Sequence, residues 1–350
     1  MSAGNTGTFL EGEKMRRTLI SAVAAAAVTA SLFAATPAQA KEVDIVGSGS
    51  SFAYNFLNQC AAEYLAKTGS KVSYTATGSG AGRKALVAKT VDFAATDSPY
   101  GDTEAKPKYS VAYAAVVGGA ITMVFNIDGV KELNLDAKTI GGIFDGSITN
   151  WSDAKIKALN PKAKLPDALI TPVYRSSNSG TTQNFQEYLF ENVAGIWPAA
   201  NQAWAGMKTG ANVSVSSDMA YKVKTTPNSI GYVDLADVDV AVGKAAVKNS
   251  LGKFVKPSVA AVSLQLAKQP MGASGIIDIN FTKKVQGGYP IAILTYVVIP
   301  LGHDDAAKGK ATGAFATYAA GTCGKKPFKG YAGLSGANLN KAMWFASQAK

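Results

Sequence analysis

Beyond residue 40, short β-branched runs alternate with stretches of helical period. Val43-Asp44-Ile45-Val46 reads as a strand, Gly47-Ser48-Gly49-Ser50-Ser51 as a turn, and residues 52–67 as a helix with Phe52, Phe56, Cys60 and Tyr64 on one face. Lys71 to Thr77 predicts a second strand, followed by the Gly78–Gly82 turn and a helix through Ala88. Val91 to Ala95 predicts a third, ending at Thr96-Asp97-Ser98-Pro99. Strand, small-residue turn and helix in repetition imply an α/β fold with mainly parallel sheets flanked by helices. In such sheets ligands sit beyond the carboxyl ends of the strands, where all three turns fall. Two longer apolar runs, Gly119 to Ile127 and Tyr289 to Pro300, fit strands crossing between two lobes. Residues 41–118 with 293–350 would then build lobe I, and residues 119–292 lobe II. The same runs also fit core strands of a single sheet. The Pro- and Gly-containing stretches at 160–172 and 268–275 read as loops.

The first forty residues have a different pattern. Arg16-Arg17 precede an Ala-rich apolar run from Leu19 to Ala35, and Ala38-Gln39-Ala40 closes it. Basic, apolar, then small-x-small is the layout of a secretory signal peptide. Residues 1–14 are polar, and Met15 makes a better start for such a segment. The run is too short and too Ala-rich for a membrane anchor. An exported, soluble mature chain is expected, in the periplasm or at the cell surface. Removing forty of 350 residues leaves more chain than one core usually serves, which favours two lobes.

The net charge of +11 suits anionic partners. Nucleic acid is excluded by the scatter of the lysines and the lack of a basic block with interleaved aromatics. Two cysteines, Cys60 and Cys323, can pair in an exported chain. Cys60 on an apolar stripe also fits a buried free thiol; the disulfide is the expectation. The single histidine, His303, reads as part of an exposed acidic loop and has no second histidine to join. Metal-site spacings and a histidine-based triad are therefore lacking.

The densest chemistry is Arg175-Ser176-Ser177-Asn178-Ser179-Gly180-Thr181, set before an amphipathic segment carrying Phe185, Tyr188, Leu189 and Val193. A helix start offers unpaired N–H groups and the positive end of its dipole. Ser179 and Thr181 add hydroxyls, Gly180 lets an anion reach the main chain, and Arg175 can grip two oxygens. By itself this is an ordinary helix cap.

It is not by itself. Gly47-Ser48-Gly49-Ser50-Ser51-Phe52 resembles the G-x-G-[AS]-[ST]-F opening of bacterial phosphate-binding proteins, the receptors of the phosphate ABC transporter. Gly78–Gly82 is similar to their G-S-x-x-G turn, and Val91–Pro99 to their V-D-F-x-x-[ST]-D-x-P. Arg175–Thr181 resembles R-x-D-x-S-G-T. Ile140–Gly146 with Trp151, and Ser229–Val233, resemble two segments of the family's second lobe. The resemblance runs through nearly all the mature chain.

It implies a two-lobed type II periplasmic-binding-protein fold that closes over phosphate, with no cofactor and no catalysis. The contacts carried over by position are Ser51, Phe52 (through its N–H), Ser79, Asp97, Arg175, Ser179, Gly180 and Thr181. It further implies delivery to a permease with paired ATPase subunits, by a monomer. Asp97 is the odd member, because a carboxylate repels an anion unless that anion has a proton to give. Phosphate at neutral pH keeps one and sulfate does not, so Asp97 would reject sulfate. Ser177 stands where the family often has an acid that pairs with the arginine, which implies higher local positive charge here.

Three other readings compete. A receptor for sulfate, molybdate or tungstate conflicts with Asp97. A secreted phosphatase or esterase lacks a base for its serines, a G-x-S-x-G elbow and a carboxylate–histidine cluster. A surface protein keeping the fold for adhesion or sensing is permitted by the charge and demanded by nothing.

Overall fold

The computed structural model describes residues 43–348 except 194, 239 and 240. The expected signal peptide at 1–40 lies outside the described residues. Among those described, no helix is long and apolar enough to cross a membrane.

The first third of the chain runs β1 (Ile45–Gly49), α1 (Tyr54–Thr68), β2 (Val72–Ala76), α2 (Ser79–Val87), β3 (Phe93–Thr96) and β4 (Val111–Asn126). The middle contains β5 (Asn134–Leu135), α3 (Ala137–Asp145), α4 (Ala154–Leu159), β6 (Thr171–Arg175), α5 (Gly180–Asn192), β7 (Ala211–Val213), α6 (Ser216–Thr225) and β8 (Ser229–Asp234). After these come β9 (Gly243–Lys244), β10 (Ala246–Lys248), β11 (Phe254–Val255), α7 (Val259–Ala267), β12 (Ala292–Pro300), α8 (Ala306–Tyr318) and α9 (Gly336–Ala346). The main strand order is β2-β1-β3-β12-β4-β8-β6-β7.

The outer strands pair in parallel, β1 with β2 and β3, and β6 with β7 and β8. Between the two parallel groups stand β12 and β4, which are antiparallel to each other and to their neighbours. Val111–Ala120 of β4 pairs with β12, and Ile121–Asn126 pairs with β8. This one strand therefore joins both groups, and its fourteen inner residues are all buried. It begins at Val111 rather than at Gly119, as the apolar run alone suggested.

The sequence expectation also missed the start of the chain. Gly47-Ser48-Gly49 is strand, not turn, in register with Tyr74, Thr75 and Ala76. The glycines are there for close approach: a Cβ on Gly47 would lie 2.1 Å from the Phe93 ring, and one on Gly82 would lie 2.4 Å from Gly49 Cα. The turn begins at Ser50, and α1 starts at Tyr54 rather than at residue 52. Phe56, Leu57, Cys60, Ala61 and Tyr64 form its buried stripe, and Gly69, left-handed at φ 78°, ends it by donating to Leu65 O. Thr171 and Pro172, read as loop, open β6.

Cys60 on α1 is disulfide-bonded to Cys323, just past α8. His303 is not in an open loop; it is partly buried, with Nε2 3.2 Å from Asp92 Oδ1 and Nδ1 accepting from the Asp305 N–H.

β8 ends in a buried acid. Asp234 Oδ1 accepts from Ala236 N and Asp237 N, and its Oδ2 has no partner among the described residues. Burial, and then Asp237, push its pKa well above the ordinary carboxyl range. The folded chain thus keeps a proton that the unfolded chain releases. The associated stability is complete below the unfolded value and lost as pH rises through the raised folded one. Asp234→Asn retains the oxygen that accepts both N–H bonds and has no proton to lose. At neutral pH and above the variant is therefore expected to be more stable than the unaltered protein. Thermal melts across pH test this; a variant less stable at neutral pH contradicts it.

Candidate functional site

The carboxyl ends of β1, β3 and β6 bring the three main motifs together. Arg175, the last residue of β6, is 1% exposed. Its Nε donates to Ser214 O at 2.9 Å, Nη1 to Ser51 Oγ at 3.1 Å and Ser216 Oγ at 3.3 Å, and Nη2 to Ser177 Oγ at 3.1 Å. Every one of these acceptors is neutral. Burial depresses the guanidinium pKa, yet a group this basic stays charged. A buried cation held only by neutral oxygens is costly unless an anion joins it.

Asp97 follows β3 and is buried. Ser50 Oγ and Thr295 Oγ1 each donate to its Oδ1 at 2.6 Å, and Ser79 Oγ donates to Oδ2 at 3.0 Å. Burial raises its pKa above the ordinary carboxyl value, and those three hydroxyls and then Arg175 offset only part of that rise. Three hydroxyl donors favour the ionised form. No helix starts at Asp97, so its carboxylate is not taken up in capping one.

Helix α5 supplies the third wall. Ser179 is its N-cap, accepting from Thr182 N, and its own N–H is taken by Gln202 O. Gly180 and Thr181 are then the first residues with N–H groups free of intrahelical partners. A Cβ on Gly180 would lie 2.6 Å from Ser79 Oγ and 2.8 Å from Asp97 Oδ2, so only glycine fits between α5 and the acid. Thr181 Oγ1 is buried with no hydrogen-bond partner among the described residues. Ser51 closes the arrangement, in contact with Ser216 Oγ at 3.0 Å, and it lines a cleft of about 390 Å³ with Tyr54, Asn55, Val215 and Ser217 among others. Phe52 is buried with its ring edge-on to Tyr331, whose hydroxyl donates to Phe52 O, so only its main chain can serve a ligand.

The result is one guanidinium and one carboxylate embedded in hydroxyls and helix-terminal amides. This constellation can bind a small oxyanion by hydrogen bonds. It contains no histidine, and groups of metal-binding side chains are lacking among the described residues.

The PBP superfamily domain matches residues 34–322. A phosphate-binding protein PstS of Xylella fastidiosa is 32% identical over 283 residues, which cover 78% of this chain and 76% of that one. One from Haemophilus influenzae is 34% identical over 266 residues, covering 73% and 78%. The chain belongs to the phosphate-binding protein family.

Two solved structures agree in fold. A high-affinity periplasmic phosphate-binding protein bound with phosphate superposes with a TM-score of 0.70 at 21% identity, covering 85% of this chain and 92% of that one. A phosphate-binding protein from Stenotrophomonas maltophilia gives 0.62 at 24% identity, covering 87% and 90%. The family is one of solute-binding receptors rather than enzymes.

All eight residues carried over from the family's motifs lie in this one region. Four that the motifs did not single out stand beside them: Ser50 and Thr295 on Asp97, and Ser214 and Ser216 on Arg175. Thr295 had a legible signal, the one aliphatic hydroxyl inside the apolar run from Tyr289 to Pro300. So had Ser214–Ser217, a serine cluster leading into α6.

Proposed function

We propose that this chain is an exported receptor that captures inorganic phosphate between two lobes and delivers it to an ABC-transporter permease. Ser51, Ser179 and Thr181 donate from hydroxyls, as does Ser79 once the ligand's proton replaces its own on Asp97 Oδ2; Phe52, Gly180 and Thr181 donate from main-chain N–H groups, and Arg175 neutralises charge. Asp97 accepts the proton that phosphate retains. The observation that carries this reading is the buried Arg175, held by neutral oxygens alone, at the same site as a carboxylate that only a protonated anion can satisfy. Residues 41–118 with 293–350 form lobe I and 119–292 lobe II; the change of partner along β4 between Ala120 and Ile121 supports that division. The protein acts as a monomer and performs no chemistry of its own.

Charge-assisted bonds contribute about 1.5–3 kcal/mol each. Several of them, less the cost of ordering, leave on the order of 8 kcal/mol, a Kd of about a micromolar or tighter. Arsenate keeps a proton at neutral pH and should compete with phosphate. Vesicles carrying the permease and its ATPase test delivery: phosphate-loaded protein should stimulate ATP hydrolysis and sulfate-treated protein should not. Equal stimulation by both contradicts the reading.

Ser177 accepts from Arg175 Nη2 and passes a 2.6 Å bond to Ser214 O, so it holds the arginine without offsetting its charge. Phosphate affinity is therefore expected to fall with added salt. Ser177→Asp should flatten that dependence by about one charge's worth of screening. Titrations over a salt series check this, and identical slopes contradict it.

A further inference from the structure

The two oxygens of Asp97 are not equivalent. Oδ1 accepts two hydroxyls at 2.6 Å, from Ser50 and Thr295. Oδ2 accepts only Ser79 Oγ, at 3.0 Å, and faces Gly180 at the start of α5. Thr295 is fully buried within β12, a stretch otherwise made of aliphatic residues, Tyr296 and Pro300. Its hydroxyl would be costly there without a partner. Its register partner is Val117, that of Tyr296 is Ala115, and the ladder slips between the two. A bulge of this kind redirects side chains and is common beside functional sites.

We propose that Thr295 is a positioning residue for ligand selection: with Ser50 it occupies Oδ1, so that Oδ2 alone meets the ligand and accepts its proton. This rests on the phosphate reading given above. A carboxylate with both oxygens open could turn, or could take a proton from solvent and become a donor. A donor at that point would welcome sulfate. The titratable and charged groups facing Asp97 are Arg175 from β6, Tyr74 from β2 and Tyr331 from the segment before α9. β12 and α5 contribute a hydroxyl and an amide, from Thr295 and from Asn184. The hydroxyls are thus the main influence offsetting the rise in its pKa that burial brings.

The test is calorimetry of the mature protein with phosphate and with sulfate, from about pH 4 to about pH 8. In the unaltered protein the preference for phosphate weakens on acidification, as Asp97 gains a proton. Thr295→Val keeps the branched shape and removes the hydroxyl. It is expected to move the midpoint of that loss upward by about one pH unit, a roughly tenfold lower preference at a fixed acidic pH. Comparison at equal pH cancels the titration of phosphate itself. Thr295→Ser restores the hydroxyl and should follow the unaltered protein. Ser50→Ala removes the other donor to the same oxygen and should shift the midpoint in the same direction; it carries the test alone if Thr295→Val does not fold. An unmoved midpoint in both hydroxyl-less variants overturns the proposal, as does an equal shift in Thr295→Val and Thr295→Ser. Unaltered protein that takes up no phosphate overturns the receptor reading itself, whatever the variants do.

Discussion

Arg175→Met is expected to abolish phosphate capture while leaving the protein folded and no less stable. Among the described residues, its guanidinium is the only cation at the proposed site, and it is out of contact with water. Truncating one partner of a buried, hydrogen-bonded charge pair costs about 2–5 kcal/mol or more, so affinity should drop by roughly two to four decades. Stability should move the other way, because a cation bound by neutral oxygens alone is a burden on the unliganded fold. The oxygens left behind still have partners. Ser51 and Ser216 contact each other at 3.0 Å, and Ser177 donates to Ser214 O at 2.6 Å. Methionine fills much of the volume of the arginine stem with a flexible apolar chain. Calorimetry and a thermal melt on the same sample read both effects. Affinity within tenfold of the unaltered protein contradicts the assignment, and a collapsed melting temperature would mean that Arg175 chiefly holds the fold.

Asp97→Asn should exchange one selectivity for another. The amide oxygen can remain with Ser50 and Thr295, which places the NH₂ where Oδ2 was, opposite the ligand. A donor there meets the phosphate proton head-on and satisfies a sulfate oxygen. The switch of one acceptor to a donor is worth about 1.5–3 kcal/mol in each direction. Phosphate should weaken by roughly ten- to a hundredfold and sulfate should gain measurable affinity. Ser79 Oγ, which donates to Asp97 Oδ2 and accepts from Asp97 N, can reorient to accept from the amide. Competition titration with both anions checks this, and a variant still blind to sulfate refutes proton-based rejection.

Much of this was legible in the chain because the alternation of strand, small turn and helix has strong local periods. The carboxyl-end turns carry the polar residues, and the α/β topology gathers those ends without further instruction. Gly47 and Gly49 misled because glycine is a usual mark of a turn, whereas here both sit in β1 against the Phe93 ring and the Ala95 carbonyl. Nothing local could show that contact. The antiparallel setting of β4 and β12 was equally hidden, since a continuous apolar run is buried on both faces in either orientation. Asp234 reads as an ordinary polar strand end, and only the packing around it reveals a buried acid. The partners of Asp97 and Arg175 come from segments as far away as Thr295 and Ser216, and hydroxyls offer no periodicity to betray them.

The most direct measurement is a titration of the purified mature protein, at neutral pH and moderate salt, first with sulfate and then with inorganic phosphate. Expected are no heat with sulfate and a saturable exotherm with phosphate at one ion per chain. A folded protein giving no heat with phosphate, or one that takes both anions alike, would contradict the pairing of Arg175 with a proton-accepting Asp97.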